Sequence, residues 1–223
     1  NKLDKLLSYF SLNFAVSSKL TEELYNAELL ENFIPVNEST KVLGLKHNDQ
    51  LNVGFVGRLS HEKGPDIFIE TAKRFNTPNL NFHMFGDGPM VNELDLSVVS
   101  YHGQCDQQQI WQQLDVLVIC SRAEGLPMVA LEAMAHGVLV IASPVGQLPQ
   151  IINHLSNGLM MTESTSDALH KQLNNVLMLS VDQRSYMLSN AQRLVKQRFS
   201  GEQQFKQLDR VYNSSLLASL PSF

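Results

Sequence analysis

Four side chains stand out for the chemistry they could do together: the cations Arg58 and Lys63, five positions apart, and the acids Glu124 and Glu132, eight apart. Arg58 and Lys63 sit in Gly57-Arg58-Leu59-Ser60-His61-Glu62-Lys63-Gly64, which follows a short apolar run and leads into a helical pattern. A forked guanidinium and an ammonium near a helix N-terminus suit a diphosphate, although the same residues also serve as ordinary surface cations. Glu132 lies inside Met128-Val129-Ala130-Leu131-Glu132-Ala133-Met134-Ala135, a segment apolar nearly all round. A carboxylate taken out of water without partners costs several kcal/mol, so Glu132 must either pair with an arginine or face a polar cleft. Met128 and Glu132 share a helix face at i, i+4, and Glu124 precedes the same helix end. Pro127 fits the first turn and Gly137 the helix end. The free N–H groups of Met128 and Val129 then point at any anion held between the two acids.

Weaker signals surround these. Gly86-Asp87-Gly88-Pro89 follows a strand-like run, and its two glycines permit close backbone approach to a ligand or simply a tight turn. The third glycine of a dinucleotide fingerprint is missing, since Val91 stands in its place. His102 is a lone histidine of the kind that usually completes a structure. No cluster of metal-ligand spacing, nucleophile elbow or phosphate-binding P-loop occurs.

These residues need a scaffold that gathers loops at one edge. Expected strands are Leu51–Gly57, Leu80–Phe85, Val98–Tyr101, Asp115–Cys120, Val138–Ala142 and Gly158–Met161. Between them lie helical patterns at Gly64–Phe75, Met90–Leu96, Asp106–Leu114, Pro127–His136 and Leu148–His154. Three further helices follow at Ser166–Leu179, Val181–Phe199 and Glu202–Leu217. The strand runs are apolar throughout rather than alternating, as in a parallel sheet covered on both faces. The prediction is an α/β, Rossmann-like parallel sheet of about six strands with helices on both faces and a helical C-terminal tail. Ligands of such sheets bind beyond the carboxyl ends of the strands, where every residue above falls. Residues 1–40 read as a small separate unit and linker: a strand at Phe14–Val16, a helix at Lys19–Ala27 capped by Ser17 or Ser18, and a polar stretch at Asn37–Lys41. The main domain is expected over residues 41–200 and a last helix over 201–223.

Composition narrows the function classes. The 223 residues carry 17 basic and 22 acidic side chains, a net charge of −5, which argues against a nucleic-acid partner. No apolar run approaches a membrane span. Only two cysteines, Cys105 and Cys120, are present, which suits a reducing, cytoplasmic compartment and no disulfide framework. The chain opens at Asn1 with no initiator Met, and reads as part of a longer protein.

In their order and spacing, three blocks resemble the C-terminal domain of family 4 retaining glycosyltransferases of the GT-B fold. They are Gly57-Arg58-Leu59 with Lys63-Gly64, then Gly86-Asp87-Gly88-Pro89, then the Glu124–Glu132 pair within Glu-Gly-Leu-Pro-Met-Val-Ala-Leu-Glu-Ala-Met-Ala. The resemblance spans about Leu51 to Met161, and the last helix is similar to one that crosses back to the family's other domain. It implies transfer of a hexose from a nucleotide-sugar donor, UDP- or GDP-linked, to an acceptor hydroxyl with retained anomeric configuration, in glycan, lipopolysaccharide or capsule assembly. It implies that Glu124 orients the donor sugar, that Arg58 and Lys63 hold the diphosphate in place of a metal, and that Glu132 accepts from ribose hydroxyls. It places Gly57, Gly86, Gly88 and the backbone of Gly125, Leu126, Met128 and Val129 around the donor, with base contacts near Tyr101–Asp106, including His102 and Asp106. No cofactor beyond the donor is implied. The acceptor, saccharide or lipid-linked, belongs to an N-terminal domain missing here, as does any peripheral contact with the membrane's inner face, so this chain alone is expected to catalyse little or nothing. Two places depart from the family pattern. Gly146-Gln147-Leu148-Pro149-Gln150 stands where Gly-Gly-x-x-Glu is usual, and Pro35-Val36-Asn37 stands where Pro-Asn-Gly is usual. Alternatives of other kinds are half of a GT-B epimerase or phosphorylase, or a non-catalytic nucleotide-binding module.

Overall fold

The computed structural model describes residues 13–15, 22, 27–29, 32–34, 50–75 and 77–218. These fall in two compact units, one within Asn1–Asn37 and Lys196–Phe223, the other within Glu38–Val195. The expected linker at Asn37–Lys41 and the capping serines Ser17 and Ser18 lie outside the described residues.

The larger unit is a six-stranded, wholly parallel sheet. Its strands are β3 (Leu51–Val56), β4 (Leu80–Phe85), β5 (Ser100–Gly103), β6 (Val116–Ile119), β7 (Leu139–Ala142) and β8 (Leu159–Met160), in the spatial order β5-β4-β3-β6-β7-β8. The smaller unit pairs β1 (Asn13–Ala15) with β2 (Ala27–Leu29), also in parallel. Helices among the described residues are α1 (Pro65–Arg74), α2 (Gln107–Gln113), α3 (Met128–Ala135), α4 (Leu148–Ile151), α5 (Ser166–Met178), α6 (Val181–Arg198) and α7 (Gly201–Ala218).

Strand periodicity explains the two layers. Val53 and Phe55, Phe82 and Met84, Val116 and Val118, and Ile141 face one side, where Ile67, Phe68 and Ala72 of α1 and Leu169, Leu173 and Val176 of α5 complete the core. The alternate residues Leu117, Ile119, Val140 and Ala142 are buried on the other side, and α3 packs there against β6 and β7. Trp111 and Leu114 are buried as well, and a Cβ at Gly54 would lie 2.3 Å from the Leu114 side chain. The strand order reverses between β3 and β6, so the loops after these two strands open a crevice.

Several element boundaries differ from expectation. Residues 90–96 form successive turns rather than a helix: Val91 N–H bonds Gly88 O, Glu93 N–H bonds Met90 O, and a 3₁₀ turn follows at Leu96–Val98 with Asp95 as its cap. The third strand begins at Ser100 instead of Val98, because Val98 ends that turn and, with Val99, packs on the core from outside the sheet. The helix expected to run to His154 stops at Ile151, where the Asn157 side chain binds Ile151 O and Asn153 N–H. Ala27, expected at a helix end, lies in β2.

Candidate functional site

The crevice between β3 and β6 holds a cavity of about 340 Å³. Its floor is Phe55, Val56 and Gly57 from β3 and its loop, with Val118, Ile119 and Ser121 from β6 and its loop. Lys63, Glu124, Pro127, Met128, Val129 and Glu132, with Gln107 and Trp111 of α2, complete its lining. Three of the four charged residues singled out in the sequence therefore share one hollow. Arg58 is exposed and lines an adjoining, more open cavity of about 600 Å³ with Gly86, Asp87, Gly88 and Gln104; Gly57 belongs to both.

Lys63 ends a 3₁₀ turn at His61–Lys63, just before Gly64, whose φ of 71° and αL conformation turn the chain into α1. Lys63 Nζ donates to Glu124 Oε1 at 2.8 Å and to Oε2 at 2.7 Å. The Glu124 side chain is only 6% exposed, and Ser121 Oγ donates to its Oε1 at 2.6 Å. Ser121 is itself anchored, since its carbonyl accepts Ser143 Oγ at 2.6 Å and Ser164 Oγ at 2.8 Å. The acid is thus held by one cation and one hydroxyl.

Helix α3 starts at Met128, with Pro127 as its N-cap rather than its first helical residue. Ala130 N–H bonds Pro127 O, while the N–H groups of the first turn ahead of it have no carbonyl one turn back. Gly137, at φ 71°, follows the helix end as expected. Glu132 faces the cleft and meets Gln107 Nε2 at 3.3 Å. Burial pushes its carboxyl above the ordinary range, against the lowering by Gln107 and the nearby His136.

The Gly86-Asp87-Gly88 loop is stitched to the loop after β3: Gly57 N–H bonds Phe85 O at 3.0 Å and Leu59 N–H bonds Asp87 O at 2.9 Å. A Cβ at Gly86 would lie 1.9 Å from Gly57 O, and one at Gly88 would lie 2.5 Å from Leu59 O. These glycines let backbone meet backbone, and that packing brings the two loops to one rim.

The remaining residues are more dispersed. His102 stacks on Phe85, ring centroids 4.4 Å apart, and its Nε2 lies 3.1 Å from His83 Nδ1. Burial and the neighbouring His102 hold the His83 imidazole below its ordinary value. The Asp106 carbonyl accepts the Gln109 and Ile110 N–H groups at the start of α2. Gly125 is exposed and Leu126 half-buried; neither they nor His102 and Asp106 line the two cavities. Gln147 N–H bonds Gly125 O at 3.0 Å, which ties the departing Gly146–Gln150 loop to the Glu124 loop. Ser121, Gln107 and Trp111 were not singled out from the sequence. Ser121 sits three residues before Glu124, and Gln107 and Trp111 of the glutamine-rich α2 line the cleft. No cluster of three or more metal-ligating side chains occurs among the described residues. No helix among them is long and apolar enough to cross a membrane.

Residues 50–178 match the family described as glycosyl transferases group 1. A protein of 41.2 kDa from the cps region of Klebsiella pneumoniae is 28% identical over 169 residues, covering 69% of this chain and 46% of that protein. The O-antigen biosynthesis glycosyltransferase WbnH of Escherichia coli is 28% identical over 150 residues, covering 64% of this chain and 43% of that enzyme. The crystal structure of Anabaena HepE in complex with UDP and glucose superposes with a TM-score of 0.79 at 21% identity, covering 96% of this chain and 66% of that one. The chain thus spans about half the length of these two curated relatives.

Proposed function

The chain belongs to the glycosyl transferases group 1 family and has the C-terminal-domain architecture of its GT-B members, and on that premise we propose that it is the donor-binding half of a retaining hexosyltransferase of glycan assembly. The observation that carries this reading is that the Lys63–Glu124 pair and Glu132 line one cavity at the sheet's switch point. A nucleoside diphosphate fits that arrangement. Its diphosphate takes Lys63 Nζ and the Arg58 guanidinium, which neutralise the charge that builds as the leaving group departs. The N–H groups of Met128 and Val129 add dipoles of the same sign at the α3 N-terminus. Glu132, the second acid of the lining, accepts from ribose hydroxyls, and Glu124, released from Lys63, takes the hydroxyls of the donor sugar. In the transfer, the bond from the sugar's anomeric carbon to phosphate oxygen breaks with its electron pair passing to the diphosphate. The acceptor oxygen bonds to the same face of that carbon, and its proton passes to the departing phosphate oxygen.

UDP is favoured as the base carrier by the UDP and glucose bound to HepE, and capsule or O-antigen assembly by the relatives from those systems. The acceptor site lies outside this chain, which alone turns over little donor. The test is calorimetric titration with UDP, GDP and ADP, repeated on Arg58→Ala and Lys63→Ala. Unchanged affinity in both variants, or turnover of a nucleotide sugar by this chain at an enzyme-like rate, contradicts the proposal.

A further inference from the structure

The turn bearing Lys63 and the loop bearing Glu124 follow different strands, yet nearly every residue of the one is tied to the other. Arg122 donates from both guanidinium nitrogens to Asp66, Nη1 to Oδ1 at 2.9 Å and Nη2 to Oδ2 at 2.6 Å, and Nη1 also reaches His61 O at 2.8 Å. Arg122 N–H bonds Glu62 O at 2.7 Å, and the buried Cys120 thiol lies 3.0 Å from Gly64 O. Gly64 approaches so closely that a Cβ there would stand 2.3 Å from Cys120 O. None of His61, Glu62 and Lys63 is buried, so the side chains of the turn itself add no core packing to hold it.

We infer that the Asp66–Arg122 pair is a positioning clasp that aims Lys63 into the donor cavity, so that nucleotide affinity depends on Arg122 through Lys63. This rests on the donor-site reading above and adds to it two residues outside the cavity lining. Arg122 is 31% and Asp66 38% exposed, so solvent screens the pair and limits what it adds to overall stability. Its two parallel bonds fix direction as well as distance, which one ammonium–carboxylate contact does not. The clasp therefore acts on geometry at the site: without it the turn loses its side-chain tie at His61 and the first turn of α1 its tie at Asp66. The backbone bond at Glu62 and the Cys120–Gly64 contact are left, and Lys63 loses part of its bearing on both Glu124 and an incoming diphosphate.

A double-mutant cycle decides the matter. Wild type, Arg122→Gln, Lys63→Ala and the double variant are titrated with whichever of UDP, GDP and ADP binds wild type most tightly, and their melting is followed in parallel. In the wild-type background Arg122→Gln should weaken binding about tenfold, and in the Lys63→Ala background less than about twofold, because the clasp has nothing left to aim. Arg122→Lys, which keeps the charge without the fork, should fall between. If Arg122→Gln fails to fold, Asp66→Asn takes its place in the same cycle. Additive losses, or no loss from Arg122→Gln where Lys63→Ala weakens binding, overturn the clasp and leave the donor site standing. Binding that ignores Lys63→Ala and Arg58→Ala, or no binding of any of the three nucleotides, overturns both.

Discussion

Lys63 Nζ stands 2.7 Å from Glu124 Oε2 and 2.8 Å from Oε1, so the cation and the acid singled out separately for the donor's phosphate and sugar are here each other's partner. The pair keeps the site nearly neutral before a ligand arrives. On the proposed donor-site reading a diphosphate draws Lys63 away, and the Ser121 hydroxyl remains to hold Glu124. One binding event thereby frees an acid at the place the sugar would occupy.

The first consequence concerns stability. Lys63→Ala leaves a carboxylate only 6% exposed with its charge unpaired. Wild type should exceed this variant by about 1–3 kcal/mol in urea denaturation at neutral pH. Adding Glu124→Gln should restore most of that loss, because the neutral amide tolerates the site, while nucleotide binding stays weak. A double variant as unstable as Lys63→Ala would show that the unpaired charge is not the cause.

Two glycines singled out in the sequence should respond differently. Gly86 has φ 122° and its Cβ position falls 1.9 Å from Gly57 O, so neither conformation nor space admits a side chain. Gly86→Ala should cost more than about 2 kcal/mol. At Gly125 an added Cβ meets nothing within 4 Å, and Gly125→Ala should stay within about 0.5 kcal/mol of wild type. Melting temperatures of the two variants separate these outcomes.

That contrast marks how far residue types alone could reach. The continuous apolar runs at Val116–Ile119 and Leu139–Ala142 made the parallel sheet legible, since only strands buried on both faces are apolar throughout. Glu132 was legible as either an ion-pair partner or a cleft residue because its apolar helix leaves a bare carboxylate no refuge, and the structure places it in the cleft lining. Gly86 and Gly88 were visible as glycines, but their reason, contact with the Gly57 and Leu59 backbone, depends on the pairing of β3 with β4. The Asp66–Arg122 bonds join residues 56 positions apart, and no local pattern announces them. Residues 90–96 misled because their apolar spacing suits a helix, while Asp95 caps the 3₁₀ turn that follows them.

Two carboxyls should give opposite pH signatures. Burial raises that of Glu132 above its ordinary 4.5, so between 4.5 and the raised value the native state holds more protons than the unfolded chain, and stability falls as pH rises through that window. Glu132→Gln should therefore gain on wild type as pH rises from 4.5 through that window. Arg122 holds Asp66 below its ordinary 3.8, so its contribution is present above 3.8 and is lost as pH falls through the lowered value. Asp66→Asn should lose most against wild type at neutral pH and converge with it in acid. Denaturation midpoints across pH measure both, and differences that do not change with pH would contradict them.

The most direct measurement is calorimetric titration of the chain with UDP, GDP and ADP, on wild type and on Arg58→Ala, Lys63→Ala and Glu132→Ala. Arg74→Ala serves as a control, since that cation pairs with Asp167 at the far end of α1. One nucleotide should bind best, each of the three site variants should weaken it by about tenfold or more, and the control should match wild type. Equal binding by wild type and all three site variants would mean that these residues do not form the donor site.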